Sequence, residues 1–126
     1  MSMKLPKPAS ASTELFEKLV EGDARLTVKK VFGNPTAFVN GNMCFGVFGL
    51  DVFFRLSDGD LKLAERIPGA RPFEPMPRRP MRGYLVLPPP VLKDRREARR
   101  WVERSVEHTR TLPPKGTKAR SRGPPS

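Results

Sequence analysis

The chain has 126 residues, a length that fits one domain, and carries 24 Lys and Arg against 13 Asp and Glu, a formal charge of +11. Its longest apolar run, Met43 to Leu50, includes two glycines and is too short to cross a bilayer as a helix. One cysteine, Cys44, excludes an internal disulfide and a Cys-rich zinc site, and one histidine, His108, leaves little for histidine metal binding or catalysis.

Residues 1–12 hold Lys4 and Lys7, no acid, and prolines at 6 and 8, and read as a disordered lead-in. They show no apolar stretch of a secretory signal and no lipidation motif. With a lone thiol this places the chain in the cytoplasm, with no membrane contact. Ser12 or Thr13 caps a short helix with Leu15, Phe16, Leu19 and Val20 at helical spacing, ended by Gly22-Asp23. Leu26 to Phe32 is β-branched and partly alternating, which predicts a strand, and Gly33-Asn34-Pro35 predicts a turn. Ala37-Phe38-Val39 runs into Asn40-Gly41, a pair that tolerates positive φ at both positions and so favours a tight hairpin. Met43 to Phe48 returns as its partner, and after Gly49-Leu50-Asp51 the segment Val52 to Leu56 is the next strand.

Strict alternation sets Val52, Phe54 and Leu56 against Phe53 and Arg55, and Met43, Phe45 and Val47 against Cys44, Gly46 and Phe48. Both sheet faces are then partly apolar. One takes helices; the other needs a helix, a long loop or a second copy of the chain, and a homodimer through that face is an expectation.

Ser57 and Asp60 stand at capping spacing before a short helix through Leu61, Ala64 and Ile67, stopped by Pro68-Gly69. Residues 68–80 contain five prolines and read as a loop. Arg82 to Leu87 is a fifth strand, closed by Pro88-Pro89-Pro90. Asp94 to Thr111 has no Gly or Pro, and Ala98, Trp101, Val102, Ser105 and Val106 form an apolar helical stripe. The order α-β-β-β-β-α-β-α, with strands clustered instead of alternating with helices, predicts an α+β fold with an antiparallel sheet of about five strands. The folded domain is expected over 13–112, where 18 cations meet all 13 acids, followed by a disordered basic tail over 113–126.

Little in this sequence points to catalysis. There is no glycine-rich phosphate loop, and Gly46-Val47-Phe48-Gly49 lies inside a strand pattern. His108 falls one position off the apolar stripe and reads as a surface histidine, Cys44 as a small core hydrophobe, and Asp58 and Asp60 as helix-start residues without a metal. No catalytic residue, metal or cofactor is therefore expected. Two basic features remain. Arg71, Arg78, Arg79 and Arg82 are opposed only by Glu74, and Lys115, Lys118, Arg120 and Arg122 crowd the tail. Arg78, Arg79 and Arg82 with the four tail cations are candidate nucleic-acid contacts of a weak, salt-sensitive kind, without base preference in a tail that has no aromatics. Solvated charge is the plainer account of the same residues. On the last helix, arginines interleave with acids in pairs such as Arg99–Glu103.

Several segments taken together resemble one family. They are Val31-Phe32-Gly33, Phe38-Val39-Asn40-Gly41-Asn42-Met43, Gly69-Ala70-Arg71-Pro72-Phe73, Arg79-Pro80-Met81-Arg82-Gly83-Tyr84, Trp101-Val102 and Leu112-Pro113-Pro114-Lys115. In order and spacing they are similar to the N-terminal domain of TfoX/Sxy proteins over roughly residues 13–115. The chain departs at Asn34, where the family often has a second glycine, and at Arg78, where glycine commonly precedes Arg-Pro. The resemblance implies a two-layer α+β fold, an open antiparallel sheet with helices on one side. It also implies a non-enzymatic regulatory role. Founding members are coactivators of natural-competence genes that work with the cyclic-AMP receptor protein and carry a further C-terminal domain; a stand-alone N-terminal module is the expectation here. The expected function is a transcription-linked accessory protein acting through contacts with a protein partner. Direct nucleic-acid binding is the alternative, and a small-ligand protein or enzyme near Cys44 and the proline-rich loop is the third reading.

Overall fold

Asn40 and Gly41 take φ of +52° and +82°, the paired left-handed conformation that a two-residue hairpin turn requires. They join β2 (Asn34–Val39) to β3 (Asn42–Phe48) as the sequence predicts. The structure is a computed structural model that describes residues 9–76 and 78–114. Before this hairpin stand α1 (Ser10–Val20) and β1 (Thr27–Val31); after it come β4 (Asp51–Arg55), α2 (Asp58–Ala64), β5 (Arg71–Pro72), β6 (Tyr84–Leu87), α3 (Pro89–Lys93) and α4 (Arg95–Arg110). The strands form one antiparallel sheet of order β1-β2-β3-β4-β6-β5. The α+β architecture with an antiparallel sheet is as expected, and β5 adds a short sixth strand inside the predicted proline-rich loop.

All four helices supply side chains to one core on one face of the sheet. Phe16 and Leu19 of α1, Leu92 of α3 and Ala98, Trp101, Val102 and Val106 of α4 meet Val39, Phe45, Val47, Val52, Phe54, Leu56, Leu85 and Leu87. Ala64 of α2 closes the same core. The α4 stripe is the predicted one, with Thr109 buried in addition. Asp94 caps α4 by accepting from the Arg96 and Glu97 N–H groups, and Ser57 caps α2 by accepting from the Asp60 N–H. Arg25 pairs with Asp23 and Glu103 at 2.7 and 2.6 Å, fastening the lead into β1 to α4; hydrogen bonds from that guanidinium hold both carboxyls below their usual range. The intrahelical Arg99–Glu103 pair is longer, at 3.8 Å.

Four local expectations are corrected. Strict alternation fails in β3, because the register against β2 shifts between Ala37 and Phe38 and leaves Cys44 as an inserted residue. Cys44 and Phe45 therefore both enter the helix-covered core, while Met43 joins Phe48 on the opposite face. The turn placed at Gly33-Asn34-Pro35 lies one residue earlier: Phe32 and Gly33 carry the positive φ values, and Asn34 is already in β2. Its side chain donates to Phe32 O and accepts from Gly49 N–H, both at 3.1 Å, tying the β1–β2 turn to the β3–β4 turn. Ser12 does not cap α1, which starts at Ser10; it is buried, with its hydroxyl 2.8 Å from Gly49 O. The prolines after β6 do not simply end it: Pro89 opens α3, where a missing N–H costs nothing.

The sheet edges are short or charged. β1 presents exposed Lys29 and Lys30, and β5 is two residues long and ends in proline. Between them, Gly46 sits under Thr36 of β2. A β-carbon there would lie 2.9 Å from the Thr36 hydroxyl and 3.0 Å from its Cα, so backbone would have to move. Gly46→Ala is expected to destabilise the fold by about 1–3 kcal/mol. Urea unfolding should show a lower midpoint at an unchanged slope.

Candidate functional site

The second face of the sheet is where the chain departs from simple core packing. Phe53 and Tyr84 point away from the helices, as alternation in β4 and β6 dictates, and Val86 lies beside them. Left bare, this surface would expose large apolar rings. The segment between β5 and β6 covers it. Phe73 is buried there, stacked on Phe53 at a centroid distance of 4.2 Å and an interplanar angle of 10°. Its other ring contacts are edge-on to Phe48 at 5.5 Å and tilted to Tyr84 at 6.1 Å. Met43, Phe48 and Met81 fringe the cluster. The sequence allows a loop as cover; the structure assigns that task to the chain's own loop on the β4–β6 side of the face.

The loop is held by backbone as well as by rings. The Met81 N–H donates to Phe73 O at 2.8 Å, and the Leu56 N–H donates to Gly83 O at 2.9 Å. At its tip the Arg79 N–H donates to Met76 O at 3.0 Å, closing a reversal in which Arg78 adopts a φ of +62°. That left-handed conformation costs a non-glycine residue about 1–2 kcal/mol.

Charge on this face is one-sided. Arg78, Arg79 and Arg82 are exposed and make no ion pair among the described residues. Arg55 lies over the Tyr84 ring at 4.9 Å and Lys29 over the Phe38 ring at 5.3 Å, both on the same side of the sheet. Burial pushes the Tyr84 hydroxyl above its usual range, and the neighbouring Arg55 charge opposes that. Of the acids here, Asp51 is paired with Arg71, which leaves Glu74. The other described acids lie in the helices or the segments next to them. The structure thus brings Arg78, Arg79 and Arg82 together on one loop. Lys115, Lys118, Arg120 and Arg122 lie outside the described residues.

Cys44, Asp58 and Asp60 resolve into structural roles. Cys44 is buried with its Sγ 3.2 Å from Ser105 Oγ, and burial pushes its thiol above the ordinary range. Asp58 and Asp60 occupy the first turn of α2, and Asp60 pairs with Arg104. His108 is half-buried beside an open groove of about 460 Å³ in which Arg104 pairs with Asp60, while the lining Glu103 and Glu107 pair with Arg25 and Arg110 outside it. Among the described residues no three of His, Cys, Asp and Glu gather to hold a metal ion, and no helix is long and apolar enough to cross a membrane. Sequence reasoning missed Phe73 as the keystone of the loop; a lone aromatic among prolines is the one signal that marked it.

The family model of the TfoX N-terminal domain matches residues 14–109. Neither the curated proteins nor the solved structures include a match to this chain.

Two outcomes follow from the loop and the thiol. Phe73→Ala removes a ring buried on both sides and is expected to cost about 3 kcal/mol. In the same variant, trypsin should cut between Arg78 and Arg79 markedly faster; an unchanged melting temperature and cutting rate would contradict the keystone role. Cys44 should react with a disulfide reagent only at the rate of unfolding, so its labelling should accelerate with urea in step with the loss of structure.

Proposed function

The chain belongs to the TfoX N-terminal domain family, and we propose that it works in the cytoplasm as a non-enzymatic binding module, a transcription-linked accessory that acts by holding a protein partner. One observation carries the reading. The loop docked on the outer sheet face presents exposed Arg78, Arg79 and Arg82 beside exposed Met76, and the three arginines make no ion pair among the described residues. Arginine and methionine are among the residues enriched in protein interfaces. The sequence resemblance supports the regulatory side of the proposal, through members that act with a transcription regulator.

Direct nucleic-acid binding is the second reading, and the same unpaired arginines favour it, since clustered cations release counterions from phosphates. A single experiment separates the two. The tagged full chain is used to capture partners from lysate of its native host at physiological salt, with and without nuclease treatment. A transcription regulator retained after nuclease is the expected result. A partner lost on nuclease treatment assigns the face to nucleic acid, and recovery of neither protein nor nucleic acid overturns both readings.

A further inference from the structure

The tip of the outer loop combines three properties that the fold does not require together. Arg78 holds a left-handed backbone conformation that glycine would occupy without strain. Its side chain is exposed and unpaired among the described residues, as are those of Arg79 and Arg82. Met76, which accepts the hydrogen bond that closes the reversal, is 43% exposed beside them. Beneath, the Phe73–Phe53 stack and the Met81–Phe73 hydrogen bond fix the base of the loop to the sheet. A strained residue on a rigid support, whose side chain makes no ion pair among the described residues, points to a contact made outside the chain.

The chemistry of that contact follows from the side chains. Guanidinium groups present planar forks that match carboxylates with two parallel hydrogen bonds. Exposed Met beside Arg is the composition enriched in protein interfaces; a thioether gains nothing from a phosphate backbone. No ring at the tip is free for base stacking, because Phe73 is buried under the loop.

We propose that Met76, Arg78, Arg79 and Arg82 form the hook by which this module grips an acidic segment of a partner protein, with Arg78 as the dominant contact. The site deepens the protein-binding reading above and rests on it. Charge complementarity selects the occupant: the face offers arginines with Glu74 as its sole uncommitted described acid.

The test uses the full chain and two labelled probes at physiological salt, a poly-glutamate peptide with leucines at its centre and a short DNA duplex. Fluorescence anisotropy should show the peptide bound more tightly than the duplex. Arg78→Gly should weaken peptide binding by about tenfold or more while raising the melting temperature, because strain and contact leave together. Arg78→Lys should fall between, keeping the charge and losing the fork. The proposal is overturned if the peptide does not bind, if Arg78→Gly binds it as well as the parent does, or if the duplex is the tighter ligand and loses that advantage in the variant. An Arg78→Gly chain that still retains its lysate partner would leave the protein-contact reading standing and remove this site alone.

Discussion

A sheet with two apolar faces and helices on one of them has to be covered twice, and the stack of Phe73 on Phe53 is the interaction that settles the second face. Face-offset aromatic pairs at this separation add to the area they bury. The stack also converts a proline-rich connection into a fixed element. Proline restricts the unfolded loop, so less chain entropy opposes its docking. The ring of Phe73 is held by Phe48, Phe53 and Tyr84, from β3, β4 and β6. Everything proposed for the arginine tip depends on that anchorage, because a hook on a mobile loop would lose its ordering advantage on binding.

Much of the fold was legible in the amino-acid order, for a physical reason. Hairpin turns, helix caps and apolar stripes are written over a few neighbouring residues. Asn40-Gly41, Ser57 before α2 and the Ala98–Val106 stripe were accordingly readable. What was not readable is what distance in the chain decides. The insertion of Cys44 into β3 exists only relative to β2, and it reverses the face on which Met43 lies. Ser12 looks like a cap until Gly49, far along the chain, supplies its acceptor. Asn34 looks like a turn residue until it bridges two turns. In each case a polar or small residue has a good local role and a better tertiary one.

The candidate site divides in the same way. The basic character of Arg78, Arg79 and Arg82 is a property of composition and was visible. Their lack of a carboxylate partner among the described residues is a property of the fold, which pairs Asp51 with Arg71 and sets the other described acids except Glu74 in or near the helices. The backbone strain at Arg78 had only an indirect sign, a departure from the glycine of the resembled family. Cys44 and the Asp58–Asp60 pair show the converse. Residue types suited to chemistry are placed where capping, packing and ion pairing use them up.

The borders of the sheet set how copies of this molecule can associate. Ribbon-like stacking of one chain on the next needs a long, uncharged strand with free N–H and C=O groups. One border offers two lysines, whose repulsion grows with every added copy; the other offers a two-residue strand ending in a residue with no N–H to give. Growth by strand addition is thereby opposed at both borders, so copies of this chain meet a barrier to seeding fibres through their own sheet.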